Sequence, residues 1–191
     1  MREVLQALKM FILLSVITGL FYPLFITGVA QLSMKEKANG SLAYIHERII
    51  GSFLIAQKFE SDRYFCARPS FVDYNPIPSG ASNLGPTSKV LKESVDTRKK
   101  AIFKKYAITD ESIIPVELLF TSGSGLDPHI SLETAFFQVD HIAKARGIKN
   151  RDILVNQINQ LKIEPRFGFI GEPIVNVLQL NLVLDALSGD K

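Results

Sequence analysis

Residues 10–30 form the uncharged run MFILLSVITGLFYPLFITGVA, 21 residues long and without an amide side chain. A helix of this length spans about 30 Å, the thickness of the hydrocarbon core of a bilayer. The alternative is a cleaved signal peptide, for which Gly28 and Ala30 would provide the small residues of the cleavage site. Because the run exceeds the usual apolar region of a signal peptide, about 7–15 residues, we predict a retained transmembrane helix over residues 10–32, after a tail of residues 1–9.

Three residues of this span favour packing against another membrane helix. Ser15 and Gly19 are four positions apart, which creates a face of small residues where a second helix can approach closely. Pro23 lacks a backbone donor and crowds the carbonyl of Gly19, so we expect a kink near that residue. The alternative is a plain lipid anchor in which these residues are incidental.

The charges that flank the span barely determine its orientation. Residues 1–9 and residues 33–37 each carry a net side-chain charge of +1, so only the terminal amine favours a cytoplasmic N-terminus. That orientation places residues 33–191 outside the cytoplasm. This remainder suits one globular domain, and a chain with 47% hydrophobic residues is not disordered. The single cysteine, Cys66, excludes an intrachain disulfide and a CxxC site.

The first half of the domain combines a hairpin, a long loop and a basic helix. Residues 41–55 alternate short apolar runs with polar breaks, which predicts a hairpin of short strands. Residues 61–86 are rich in proline and glycine and are predicted to be loop. Thr87 is expected to cap a helix that ends near Tyr106. One face of this helix carries the apolar Val90, Leu91, Val95, Ile102 and Phe103.

Residues 87–105 have a net charge of +5 against +3 for the whole chain. We interpret the basic face as solvated, with contact to lipid head groups or an acidic partner as the alternative. The small net charge of the chain gives no indication of nucleic acid binding.

The second half of the domain is mainly helical. Residues 114–120 are a strand candidate, and Ser131 is expected to cap a helix that ends at Gly147. Asn150 is expected to cap a helix through Leu161, residues 166–173 form a turn-rich connector, and Asn176 opens a last, buried helix. The predicted fold class is α+β, with one small sheet and helices packed against it.

The segment GASNLGPT (80–87) has the glycine spacing of a phosphate-binding loop. Pro86 stands where such a loop needs its lysine, so we interpret the segment as an ordered turn. No pair among His46, His129 and His141 has metal-ligand spacing, and we predict no metal site.

The segment TSGSGLDPH (121–129) contains serine, aspartate and histidine, but its members lie too close in sequence for a catalytic triad. We therefore predict no catalytic residue in the chain. A glycine-rich loop before a helix N-terminus can bind an anion, because free amides and the helix dipole point there. The candidate partner or nucleotide loop comprises Ser122, Gly123, Ser124, Gly125 and Asp127. The alternative is a plain connection in which Asp127 forms an Asx turn.

These motifs, in this order, resemble the C chain of the bacterial high-affinity potassium-transporting P-type ATPase, the KdpC family of the Kdp system. The similarity covers almost the whole chain. Its segments are TGLFYPLFITGVAQ (18–31), ANGSL (38–42), GSFLIAQ (51–57), YFCARPS (64–70), YNP (74–76), SGASNLGPT (79–87), TSGSGLDPHIS (121–131), AFFQV (135–139), ARG (145–147), FGFIGEP (167–173) and VNVLQLNLVLDAL (175–187). The family usually has His-Gly in place of Cys66-Ala67, and glycine in place of Ala56.

The resemblance implies a non-catalytic subunit of a four-subunit complex in the bacterial plasma membrane. Its implied partners are a potassium-channel-like subunit, an ATP-hydrolysing subunit and a small single-helix subunit, together with the lipid bilayer and no nucleic acid. The chain contains no DKTG sequence for an aspartyl phosphate. The family is described as a catalytic chaperone that raises the ATP affinity of the hydrolysing subunit, in some descriptions through a glycine-serine loop.

The implied nucleotide contact disagrees with the predicted orientation, which places this loop outside the cytoplasm, where ATP is scarce. No firmly bound cofactor is expected, and ATP in a site shared with the complex stays an open alternative. The competing function is a membrane-tethered extracytoplasmic enzyme or binding domain that uses the loops 61–86 and 121–131.

Overall fold

A computed structural model of the chain describes residues 1–188, so residues 189–191 of the predicted domain lie outside the described part. The backbone divides into two compact units, one formed by residues 1–50 and the other by the chain from Gly51 onward. The apolar helix and most of a hairpin belong to the first unit. A short helix over Lys35–Ala38 also belongs to the first unit, and the helices from Lys89 onward belong to the second.

The first unit begins with a continuous apolar helix over Arg2–Ser33, long enough to cross a membrane. It consists of α1 (Arg2–Val16), a π-helical turn (Ile17–Phe21) and α2 (Tyr22–Ser33). The backbone N–H of Tyr22 donates to the carbonyl of Ile17, one residue farther back than in an α-helix. The regular hydrogen bonding therefore changes directly before Pro23, where the sequence predicts a kink. Residues 2–9 of the predicted tail are helical.

The predicted hairpin is present. After the short helix α3 (Lys35–Ala38), strands β1 (Leu42–Ile45) and β2 (Arg48–Ser52) form a two-stranded sheet. His46 and Glu47 connect them, and both have positive φ values, 45° and 63°. Two successive residues with positive φ are typical of the type I′ turn, which matches the twist of the flanking strands.

The second unit opens with irregular chain up to helix α4 (Lys89–Tyr106). Ser88 caps this helix, since its hydroxyl accepts from the backbone N–H of Leu91, and the expectation for Thr87 is wrong by one residue. Ile102 is buried, whereas Val90 is 59% exposed. The helix packs through its C-terminal half, so the predicted apolar face does not extend to its first turn.

The predicted strand over residues 114–120 is wrong. A 3₁₀ turn, Glu111–Ile113, ends directly before this segment, and a second one, Val116–Leu118, lies within it. Pro115 cannot donate a ladder hydrogen bond, and the carboxylate of Asp110 accepts from the backbone N–H of Ser112, which starts the first turn. Ile114 and Leu118 are nevertheless buried, because they pack in a small cluster with Ile102.

The helices of the rest of the second unit follow the predicted order, and two short strands that were not predicted lie beside them. This part contains β3 (His129–Ser131), α5 (Leu132–Arg146), α6 (Asp152–Leu161), β4 (Ile174–Asn176) and α7 (Val177–Ser188). Strands β3 and β4 pair antiparallel with Ile130 opposite Val175. The α+β class is confirmed, but the described residues form two two-stranded sheets, β1–β2 and β3–β4, rather than one sheet.

The helix boundaries in this region agree with their sequence signals. The hydroxyl of Ser131 caps α5, and Gly147 ends it at a φ of 69°. The side chain of Asn176 accepts from the backbone N–H of Gln179 and so caps α7. The prediction that Asn150 caps α6 is wrong by one residue, because Arg151 directly precedes the helix. The side chain of Asn150 nevertheless accepts from the backbone N–H of Asp152.

The main core is formed where α5, α6 and α7 meet the β3–β4 sheet. Helix α7 is buried as predicted, since Leu180 and Leu184 are 2% and 1% exposed. The other fully buried members are apolar side chains from every element of this group: Phe65, Ile130, Val139, Ile142, Leu154, Ile158, Val175 and Val177. Burying each large apolar side chain contributes about 1.5–3 kcal/mol, so this core fixes the frame that carries the loops.

Candidate functional site

The predicted loop 121–129, here called the junction loop, connects the second 3₁₀ turn to β3 and joins three segments that are distant in sequence. The backbone N–H of Ser122 donates to the carbonyl of Pro69 (3.1 Å), and that of Gly80 donates to the carbonyl of Ser124 (3.1 Å). The carbonyl of Leu126 accepts from Ala56 (2.9 Å). Backbone hydrogen bonds therefore attach the junction loop to three other segments, at Ala56, Pro69 and Gly80.

Gly125 is the residue of this loop that cannot carry a side chain. Its φ is 71°, and a Cβ atom there would lie 2.8 Å from the carbonyl oxygen of Gly80 and 2.8 Å from Cγ2 of Val72. A backbone oxygen cannot move aside as a flexible side chain can. Gly123 differs, because a Cβ atom at this exposed residue would meet nothing within 4 Å.

Asp127 shapes the exit from the loop. Its Oδ1 accepts from the backbone N–H of His129 (3.0 Å), which is the geometry of an Asx turn. Its Oδ2 lies 3.5 Å from Nη1 of Arg68, a residue of the YFCARPS motif. Asp127 thus ties the loop to residues 64–70.

The two serines and the histidine of the loop are not arranged as a nucleophile and its base. Ser122 is 2% exposed, and its hydroxyl has no hydrogen-bond partner among residues 1–188. The exposed Ser124 uses its hydroxyl to accept from the backbone N–H of Leu126 (3.1 Å). Within the described residues, no hydrogen bond joins either serine to His129, whose Nδ1 lies 3.8 Å from Oδ1 of Asp127. A serine nucleophile that is activated by a neighbouring histidine needs a hydrogen bond to it.

An internal carboxylate lies at the N-terminus of α5, where the sequence leaves binding of an external anion open. Oε2 of Glu117 accepts from the backbone N–H of Ser131 (2.9 Å) and from the hydroxyl of Thr134 (2.8 Å). The hydroxyl of Ser131 accepts from the backbone N–H of Thr134. The protein's own carboxylate therefore complements the helix dipole here, and it would repel a second anion.

The YFCARPS segment has a structural role that sequence reasoning missed. The buried side chain of Asn181 on α7 accepts from the backbone N–H of Phe65 (2.8 Å) and donates to its carbonyl (3.0 Å). Gln138 on α5 does the same for Cys66, at 2.8 Å and 3.2 Å. The sequence does contain a signal for this role, because Gln138 and Asn181 each place an amide side chain in an otherwise apolar helix face.

The departure from the family pattern at Cys66-Ala67 is accommodated at this position. Gln138 binds the backbone of Cys66, so the hydrogen bonds do not depend on the side chain there. The Cys66 sulfur lies 3.5 Å from Nζ of Lys105, beside a cavity of about 300 Å³. Ala67 is buried at 5% exposure.

Part of the basic face of α4 is used within the domain. Arg98 donates to the carbonyl of Leu119 (2.8 Å), Lys99 forms an ion pair with Glu111, and Lys105 lies 3.4 Å from Asp62. The imidazole of His141 and then the Lys105 ammonium hold the pKa of Asp62 below its ordinary value. Two further basic residues in the part of α4 that follows Glu93, Lys100 and Lys104, are exposed to solvent.

The other predicted site residues belong to the apolar helix of the first unit. Ser15, Gly19 and Pro23 are exposed on the apolar helix, and Gly19 belongs to the π-helical turn. Within residues 1–188, no group of three His, Cys, Asp or Glu side chains is placed to hold a metal ion.

Comparison with known proteins identifies the family. The family model described as "K+-transporting ATPase, c chain" matches residues 4–186 of the chain. The chain belongs to the KdpC family. The match includes the apolar helix and both loops, so it confirms the resemblance deduced from the motifs.

The similarity to curated KdpC relatives extends over almost the full length of both this chain and each relative. A potassium-transporting ATPase KdpC subunit of Leptospira interrogans is 42% identical, over 96% of this chain and 93% of the relative. One from Rhodopseudomonas palustris is 44% identical, over 97% of this chain and 98% of the relative. One from Yersinia pseudotuberculosis is 42% identical, over 95% and 92%.

Proposed function

We propose that the chain is a non-catalytic accessory subunit of a bacterial high-affinity, ATP-driven potassium-uptake complex, where it supports assembly and raises the ATP affinity of the hydrolysing subunit. The observation that carries this proposal is the KdpC match over residues 4–186, which includes the membrane helix and the domain together. The proposed partners are a potassium-channel-like, an ATP-hydrolysing and a small single-helix subunit. The competing function, a tethered enzyme, would need a catalytic arrangement that the junction loop lacks.

Within this proposal the junction loop contacts a partner subunit rather than the phosphates of ATP. Glu117 already occupies the N-terminus of α5 and would repel a phosphate. Gly123 and Ser124 are the exposed residues of the loop and are available to a protein surface. The effect on ATP affinity is then indirect, through the conformation of the assembled complex.

The proposed topology has the N-terminus in the cytoplasm and the domain outside it. A single apolar helix supports one crossing, and the terminal amine supplies the excess charge on the N-terminal side. Ser15, Gly19 and Pro23 are the proposed contacts with a neighbouring membrane helix, since small residues allow close approach.

The test compares the purified pump with and without this chain. We expect removal of the chain to raise the KM for ATP in potassium-stimulated hydrolysis, and the chain alone to hydrolyse no ATP. A KM that is the same in both preparations would contradict the role in ATP affinity. Hydrolysis by the isolated chain would instead support the enzyme alternative.

A further inference from the structure

Residues 163–174 form a hairpin, here called the tip hairpin, that continues from strand β4. Ile163 and Ile174 exchange two backbone hydrogen bonds, at 2.8 Å and 3.1 Å. Arg166 and Ile170 exchange two more, both at 2.9 Å. Because Ile174 also pairs with Ser131 of β3, the hairpin is anchored to the β3–β4 sheet.

The end of the tip hairpin carries large apolar side chains in solvent. Phe167 is 84% exposed, Phe169 is 78% exposed and Ile170 is 54% exposed. Single exposed apolar residues are normal on protein surfaces, but adjacent ones form a patch, and such patches commonly mark interaction sites. Neither ring contributes to the core of the domain.

Hydrogen bonds order the backbone that carries these rings. The N–H of Gly168 donates to Pro165 (3.0 Å), and that of Phe169 donates to Arg166 (3.2 Å). Phe167 has a φ of 54°, in the left-handed region that bulky residues avoid. A strained residue that keeps a large exposed side chain indicates a functional constraint rather than a packing requirement.

The charges around the tip favour a protein partner over a bilayer. Lys162 and Arg166 are balanced by Glu164 and Glu172, and Lys162 forms an ion pair with Glu164 (2.5 Å). Binding to an anionic membrane surface relies on an excess of basic residues, which this hairpin lacks. Protein interfaces instead place aromatic rings at the centre, with mixed polar groups around them.

We propose that Phe167 and Phe169 dock into an apolar pocket on another subunit of the potassium-transporting ATPase. The proposal rests on the proposed function, because that function supplies the partner. The turn that carries the rings is already ordered by its hydrogen bonds, so little backbone freedom is lost on docking. The charged residues around them form the polar rim of the contact.

The decisive experiment replaces Phe169 with the photoreactive analogue p-benzoylphenylalanine in the full chain, co-expressed with the other pump subunits. We expect irradiation of the membranes to attach the chain covalently to a pump subunit, identified by mass spectrometry. The matched control places the analogue at Ile153, an apolar residue of α6 that is 40% exposed. Adducts with lipid alone, no adduct, or an equal yield of subunit adducts from position 153 would overturn the proposal.

A second variant separates docking from folding. The double change F167S/F169S removes only exposed side chains, so the midpoint of thermal unfolding should not change. We expect the tagged variant to lose the pump subunits about tenfold faster than wild type during a detergent wash. Loss at the wild-type rate would overturn the docking proposal. Failure of the wild-type chain to co-purify with any pump subunit would instead contradict the proposed function.

Discussion

Gly125 shows how the absence of a Cβ atom allows two segments that are distant in sequence to approach each other closely. The change Gly125→Val would force a side chain against the carbonyl of Gly80 at a positive φ. Ser124→Ala removes only a hydroxyl that accepts from a neighbouring N–H. We therefore expect Gly125→Val to reduce potassium-stimulated ATP hydrolysis by the purified complex about tenfold or more, and Ser124→Ala to leave it within about twofold.

The reverse ranking would contradict this account. A catalytic role for Ser124 requires that Ser124→Ala abolish turnover while Gly125→Val is tolerated. The matched control is Gly85→Val outside this loop, because a Cβ atom there meets nothing within 4 Å among the described residues. Activity close to wild type in that variant would assign the effect at position 125 to steric conflict rather than to the loss of a glycine as such.

Arg146 is the buried charge on which the helix packing depends. Its side chain is fully buried, with Nη2 2.7 Å from Oδ1 of Asp185, Nη1 3.1 Å from the carbonyl of Leu184 and Nε 2.6 Å from that of Arg63. The guanidinium also lies 4.8 Å from the ring centre of Tyr64. These contacts join α5, α7 and residues 63–64.

The change Arg146→Met should therefore lower the free energy of unfolding by about 3 kcal/mol, because it removes the charged partner of Asp185 and the donor to two carbonyls. Chemical denaturation followed by circular dichroism measures this loss. The control Arg151→Met removes a guanidinium that is 56% exposed and pairs with Asp140 at the surface. It should cost less than about 1 kcal/mol, and equal losses in the two variants would contradict the importance of burial.

At the scale of the elements, the membrane helix has an interrupted hydrogen-bond pattern beside its smallest residue. The π-helical turn Ile17–Phe21 contains Gly19, and a Cβ atom at Gly19 would meet nothing within 4 Å in this chain. A larger residue is therefore compatible with the helix itself. Any harm it causes must come from a neighbouring molecule.

We expect Gly19→Leu to leave membrane insertion unchanged and to reduce co-purification of the other pump subunits several-fold. A leucine would separate helices that approach closely through Ser15 and Gly19. Recovery of the tagged chain in the membrane fraction measures insertion, and Gly28→Leu is the control for the same change elsewhere in the helix. Full co-purification of the Gly19→Leu variant would reject the packing prediction.

At the scale of the whole molecule, the orientation of the chain decides which compartment the loops face. A cysteine introduced at the exposed Lys149, with native Cys66 changed to Ser, should react with a membrane-impermeant maleimide applied to intact spheroplasts. The expectation follows from the proposed cytoplasmic N-terminus and a single crossing. Labelling that appears only after lysis would reverse the orientation, and the Cys66→Ser chain without the new cysteine is the control.

Much of the architecture follows from local sequence signals. The uncharged run 10–30 is part of a long helix, the hairpin forms within residues 41–55, and Ser131, Gly147 and Asn176 begin or end helices as predicted. These features depend on hydrophobic runs, capping hydroxyls and residues tolerant of positive φ. Each acts within a few positions of the chain, so the sequence alone determines it.

Other features were decided only by tertiary structure. The run 114–120 is apolar enough for a strand, yet Val116–Leu118 forms a 3₁₀ turn, and only Ile114 and Leu118 of the run are buried, against Ile102 of α4. The identity of the donors and acceptors around Gly125, Glu117 and Gln138 likewise depends on segments far away in the chain. Local sequence carries the chemistry of a side chain, but which partner it meets is fixed by burial and close packing of the whole domain.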